Sequence, residues 1–340
     1  MEKCYKFRIY PTPNQVNLLQ RTFGCSRFVY NYYLNLRQEL YENEGVTLNY
    51  SACSANMTQL KKELTWLCEV DSTALQASLR DLDNAYQHFF RRVKQGEAPG
   101  FPHFKSKHHS RKSYKSKANG KNIEVIENTI KLPKLGFVPC RVSKVLEGRI
   151  LSATVSQTPS GKYFVSVCCT EAEISLLEKT GAMIGIDVGN CPVAVTSDGG
   201  IVAAAQHYHQ MERKLARLQK QLSRKATDGA NREKARIRLA RLHERIANQR
   251  NDTIHKHTTT LVRQYDVLVV PVISLREKLQ DTKLAKTLQD AAWGEFLHQL
   301  EYKCAWYGKQ FLRVDSTETD ELPSVAAAND ILQQGLRLLA

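Results

Sequence analysis

Asp187 closes a short apolar run, Met183-Ile184-Gly185-Ile186-Asp187-Val188-Gly189, and a carboxylate at a strand end could hold a divalent metal. Hydrolysing a phosphodiester needs more, because two Mg²⁺ ions must clamp the attacking and leaving oxygens and several carboxylates must converge to hold them. One carboxylate cannot do this. Nine cysteines are scattered through apolar contexts with no C-x-x-C pair, so they read as reduced core thiols and not as metal ligands.

The strand before Asp187 continues into Cys191-Pro192-Val193-Ala194-Val195-Thr196-Ser197-Asp198-Gly199-Gly200, where tight turns return the chain antiparallel. This hairpin resembles the start of an RNase H-like domain. Such a domain takes one Asp from its first strand, an acid from a later parallel strand and another Asp from a C-terminal helix. Here the later strand is readable at 265–270, and Pro271 and Val272 stand at its end. The last helix is readable at 324–332, with Ser324 where an acid belongs. Glu277 lies well past Pro271, and Asp330 sits more than a helical turn from Ser324. Asp320 and Glu321 are the other acids near these positions. Metal ligation tolerates only fractions of an ångström, so Asp187 reads as a vestige, a solvated or hydrogen-bonded strand-end residue.

With 340 residues the chain exceeds one ordinary domain, and two or three are expected. A strand at 4–10 stops at Pro11-Thr12-Pro13. Asn14 then caps a helix carrying Val16, Leu18, Leu19 and Phe23 and running on towards Tyr41. Helical spacing recurs from Tyr50 to about Leu67 and from Ser72 to Phe90. Between 98 and 122 the chain is rich in Pro, Gly, Ser, Lys and His and has no acid, which marks a loop that touches phosphates. Short strands follow at 123–125, 129–132, 137–142, 151–157 and 163–169. With the first strand they would close a small barrel. Two basic helices, 211–225 and 230–263, form an antiparallel hairpin with one apolar seam. Trp293, Trp306 and Tyr307 have the spacing of core residues.

Lys and Arg number 49 against 34 Asp and Glu, a net charge of +15 that suits a polyanionic partner. No apolar stretch approaches the length of a membrane span and the first residues lack a signal core, so a cytoplasmic protein is expected.

These motifs together resemble TnpB, the RNA-guided nucleases of bacterial insertion sequences, nearly end to end. The resemblance is carried by Tyr5-Lys6-Phe7-Arg8-Ile9-Tyr10-Pro11, Gly24-Cys25-Ser26-Arg27-Phe28-Val29-Tyr30-Asn31, Pro99-Gly100-Phe101-Pro102-His103-Phe104-Lys105 and Leu132-Pro133-Lys134-Leu135-Gly136. It continues in the Asp187 strand, in Asn248-Gln249-Arg250-Asn251-Asp252 and in the segments around Trp293 and Trp306. The resemblance implies an α+β multidomain chain. It has a barrel-like wedge from 1–10 and 98–180, an inserted helical lobe from 11–97, and a degenerate RuvC (RNase H-like) domain from 181–340 that carries the basic hairpin 211–263. The family has a Glu where Pro271 stands, an Asp where Ser324 stands, and a four-Cys zinc finger where only 316–323 remain, so no zinc and no working Mg²⁺ site are expected.

Chains with these losses resemble the TldR group, RNA-guided repressors without nuclease activity, some encoded beside flagellin genes. The resemblance therefore implies a non-enzyme, nucleoid-associated when bound, that represses transcription by occupying a guide-matched target. A flagellin gene is one expected target. The alternatives are an RNA-guided Mg²⁺-dependent endonuclease with displaced acids, and a transposon remnant with general RNA affinity. The implied partners are a guide RNA and duplex DNA beside a short flanking motif, with no membrane and an open oligomeric state. For the flanking motif the expected contacts are Tyr50, Ser72, Thr73 and Gln76 from the lobe, and Ser113, Tyr114 and Lys115 from the basic loop. For RNA and its heteroduplex they are Lys6, Arg8, Arg27, Lys105, Lys107, Arg111, Lys112, Arg232, Arg236, Arg238, Arg241 and Arg245.

Overall fold

The structure is a computed structural model and describes residues 2–171, 175–189, 192–203, 207–227, 229–272, 292–315 and 322–339. The chain divides into two compact units, Met1–Glu173 and Ile174–Ala340.

In the first unit, β1 (Lys3–Ile9) alternates strictly, burying Tyr5, Phe7 and Ile9 while Lys6 and Arg8 face outward. It lies at the centre of a seven-stranded sheet with β2 (Lys112–Lys117), β3 (Glu124–Ile126), β4 (Thr129–Leu132), β5 (Gly136–Arg141), β6 (Arg149–Gln157) and β7 (Tyr163–Thr170). Their order is β2-β6-β7-β1-β5-β4-β3. The pairing runs from one edge to another, so the expected closed ring of strands is replaced by a sheet with two ends. The 98–122 segment is also not loop throughout, because β2 occupies part of it and pairs with β6, Tyr114 opposite Val155.

Helix α1 (Pro13–Glu44) starts on a capping box made by Thr12 and Gln15, with Pro13 in the first turn. The expected cap, Asn14, already lies inside the helix. At about 48 Å, α1 is long enough to serve two cores. Leu19 and Phe23 pack on the sheet, while Val29, Tyr30, Tyr33 and Leu34 pack against α2 (Tyr50–Glu63) and α3 (Ser72–Lys94). The α3 cap, Asp71, also accepts from the Ser116 hydroxyl at 2.6 Å and the Thr73 hydroxyl at 2.7 Å, fastening α3 to β2.

The second unit holds a five-stranded sheet ordered β10-β9-β8-β11-β12. Its strands are β8 (Met183–Val188), β9 (Ala194–Thr196), β10 (Ile201–Val202), β11 (Val267–Pro271) and β12 (Gln310–Val314). The first three form an antiparallel meander, and β11 lies parallel to both β8 and β12. Helices α4 (His207–Ser223) and α5 (Ala230–Gln264) make the hairpin. The C-terminal part of α5 buries Ile254, Leu261 and Val262 in the sheet core with α6 (Trp293–Tyr307), and Leu242 and Ile246 pack on Leu215 of α4. Trp293 is buried and donates its indole N–H to the Gly189 carbonyl, as a core residue does. The last helix, α7 (Val325–Leu339), lies across β8 and β11. A side chain on Gly185 would come within 2.0 Å of the Ala328 carbonyl, and one on Gly335 within 2.5 Å of Val269.

Among the described residues every cysteine is a free thiol. Cys4 and Cys68 are exposed, which corrects the expectation that all are core thiols, and Cys191 lies outside the described residues. No described helix is long and apolar enough to cross a membrane.

Candidate nucleic-acid interface

In the first unit α1, α3, β2 and the segment before it wall a cleft of about 520 Å³. Arg27, Lys105, Arg111, Lys112, Ser113 and Lys115 all line it, so residues separately expected to touch RNA and DNA share one surface. Lys105 is fixed from both sides. Its backbone N–H donates to the Asn31 side chain at 2.8 Å, Asn31 donates back to its carbonyl at 2.9 Å, and its ammonium lies 3.7 Å above the Tyr30 ring. Burial lowers the Lys105 pKa while Asp81 opposes the shift. Asp81 moves the other way, raised by the protein around it although Lys105 and Lys115 favour its charge. Its carboxylate is nonetheless open to the cleft.

Tyr114 does not take the expected role. It is 5% exposed and packs against Phe23 with ring centroids 5.8 Å apart, because alternation along β2 turns it inward. Thr73 is likewise occupied, its hydroxyl held between Asp71 and Ser116. Ser72 and Gln76 are exposed at the start of α3, and Ser72 accepts from the Lys61 ammonium. Tyr50 is partly covered by Arg80, whose guanidinium sits 3.6 Å from the ring centroid. Arg80 and Asp81 escaped the sequence reading, which followed the apolar spacing of α3 and passed over the charged pair between its buried positions. On β1, Lys6 lies over Phe164 and Arg8 over Tyr10, both exposed, and Lys107 is exposed beyond the cleft.

On the hairpin, Arg232 donates to the Leu222 and Lys225 carbonyls at 3.2 and 3.0 Å and so closes the turn, where it was expected on RNA. Arg236 is paired with Glu233 at 2.5 Å. Arg238, Arg241 and Arg245 are exposed, and Arg238 joins Arg224, Lys225 and Lys234 around a second hollow of about 310 Å³.

Asp187 is 3% exposed and accepts the Ser324 backbone N–H at 3.0 Å. The Ser324 hydroxyl in turn accepts from the Ala327 N–H at 3.1 Å, so this carboxylate holds the start of α7. It is hydrogen-bonded and buried, not solvated. Pro271 forms the last residue of β11, opposite Val314. Among the described residues no three His, Cys, Asp or Glu side chains stand together as a metal site. Glu277, Asp320 and Glu321 lie outside the described residues, and Asp330 is exposed on α7.

The fold these units define is α+β, similar to a solved Cas12f1–sgRNA–target DNA complex, whose protein aligns over 93% of this chain and 89% of its own length with TM-score 0.56 and 11% identity. The "Helix-turn-helix domain" model of IS605 OrfB proteins matches residues 1–45, which here form β1 and the single helix α1, and the "Probable transposase" model matches 166–279. A "Putative RNA-guided DNA endonuclease" of Streptomyces pristinaespiralis is 37% identical over 93% of this chain and 78% of its own length. The "Putative RNA-guided DNA endonuclease InsQ" of Escherichia coli K12 is 31% identical over 94% of this chain and 82% of its own. The chain belongs to the TnpB family, the OrfB proteins of IS605-type elements. These relatives correct the expectation of a non-enzyme: proteins alike over nearly the whole chain are named endonucleases, which places it in a nuclease family.

Proposed function

We propose that this chain binds a guide RNA and, through it, duplex DNA beside a short flanking motif, and that occupancy of the target represses transcription. The observation that carries the reading is the convergence of Arg27, Lys105, Arg111, Lys112 and Lys115 on one cleft. A net charge of +15 and the exposed Arg238, Arg241 and Arg245 support it. So do the relatives named RNA-guided and the fold shared with a protein solved on guide RNA and target DNA.

Guide pairing supplies sequence specificity, while the protein recognises A-form shape and phosphates. Gln76, exposed near the start of α3, is read as pairing an adenine of the flanking motif, with Ser72 and Lys115 beside the same DNA. Exchanging a DNA duplex for a heteroduplex is nearly balanced, so protein contacts to backbone and motif tip it. Binding in this form calls for no metal held by the protein. The second unit is read as RNase H-like, supported by its meander followed by parallel strands. A second reading, RNA-guided DNA cleavage, is favoured by the retained Asp187 and the names of the relatives.

The test is to purify the full chain from its host, sequence the RNA that comes with it, and supply both to a reporter carrying a matched target. Repression that disappears with mismatches beside the flanking motif is expected. A fully active reporter despite a verified protein–RNA complex overturns the repressor reading. Guide-dependent nicks in the recovered DNA that vanish in Asp187→Ala select cleavage.

A further inference from the structure

Asp81 is out of place in a cleft built only to hold phosphate. It faces a space ringed by five cations, yet among the described residues its carboxylate makes no hydrogen bond or ion pair. Lys105 and Lys115 balance part of that charge without bonding the carboxylate, and what remains weakens phosphate binding. A carboxylate only accepts hydrogen bonds, and the ligand it suits carries N–H donors. Ser26, which lines the cleft from α1, is 6% exposed and its hydroxyl has no protein partner. The Phe23 and Tyr114 rings complete the lining with apolar surface. At about 520 Å³ the space lies within the range of small-molecule sites, about 300–1,000 Å³, and admits a single nucleotide but no duplex.

We propose that this cleft seats one unstacked nucleotide of the bound nucleic acid, with its phosphate on the surrounding cations and its base edge on Asp81, and that it prefers guanine. The inference rests on the nucleic-acid reading above. Guanine is the base whose Watson–Crick edge presents two adjacent donors, N1–H and the N2 amine, matching the two carboxylate oxygens. Adenine and cytosine offer an amine beside a ring acceptor that the carboxylate repels, and uracil flanks its one N–H with two carbonyls. Single-stranded bases read in this way are splayed from the stack and bonded on that edge.

The test uses the full chain and labelled oligo(U) of about ten nucleotides, a length that spans one single-strand site. One central position is varied among guanine, adenine, cytosine and inosine, and a parallel oligo(dT) series carries the deoxy bases. Guanine is expected to bind about tenfold tighter than adenine in at least one sugar series, the discrimination of one bidentate pair. Inosine, which lacks the N2 amine, should lose most of that gain. Asp81→Asn should erase the preference, and plain oligo(U) should bind at least as tightly as before, since the phosphate contacts remain and a negative charge has left the cleft. The series that shows the preference says whether the seated nucleotide comes from RNA or DNA. Equal affinity for all four bases in both series, or a guanine preference that survives Asp81→Asn, overturns the nucleotide seat alone. Absence of any oligonucleotide binding overturns the nucleic-acid reading with it.

Discussion

Lys309 has almost no exposed side chain, and its ammonium donates to Asp266 at 2.5 Å and to the Glu178 carbonyl at 2.7 Å. That bond holds the Asp266 carboxyl down at about 2. A depressed acid contributes its stability above the unfolded value of about 3.9 and loses it as pH falls towards the folded one. The melting temperature should therefore drop between about pH 4 and pH 2 with a component that Lys309→Met removes, measurable as a flatter acid limb in thermal scans. Asp187 allows a second check. Replacing it with Ala strands the Ser324 N–H and should cost about 1–3 kcal/mol in urea unfolding, with Asp187→Asn costing less because an acceptor remains. At this scale the sequence was legible where side-chain type alone decides, as with the clustered cations and the strand-end Asp187. It was not legible where a partner decides. Nothing local foretells that Asp187 meets the α7 backbone, or that Arg232 is spent on carbonyls of its own hairpin. Tyr114 was readable after all, because Ser113 to Lys117 alternates with period two, but its lysines drew the segment towards a loop.

Close approach of elements rests on Gly185 and Gly335, which let α7 lie against β8 and β11. Gly185→Ala would press a methyl into the Ala328 backbone, so its cost should exceed the ordinary 1–3 kcal/mol of overpacking. Gly335→Ala first meets the Val269 side chain, whose methyls must give way without the helix backbone moving, and should fall inside that range. Urea midpoints of the two variants rank them, and equal midpoints would refute this account. Helices with a strong apolar stripe, such as α3 and the hairpin pair, were readable to within a few residues. The sheet of the first unit was readable as strands but not as an order, since β1 finds β5 and β7 far along the chain and no local signal encodes that choice.

Across the molecule, the excess of cations predicts how binding responds to salt. Reversing charge at Arg238, Arg241 and Arg245 should lower the log–log salt slope of RNA binding by about 0.7–0.9 for each phosphate that is no longer neutralised. Arg236→Glu alone should change it less, because Arg236 already shares its charge with Glu233. An unchanged slope in the triple variant would place the RNA elsewhere. The pairing of β1 with β7, Lys3 opposite Cys169, also sets a schedule for synthesis. At about 5–20 residues per second, β1 leaves the ribosome roughly ten to thirty seconds before β7 exists. Until β5 follows, a nascent strand bearing Tyr5, Phe7 and Ile9 has both its edges bare, and one stays bare until β7; the lysine and arginine on its other face are the kind of charge that discourages pairing with a neighbouring chain on the same polysome.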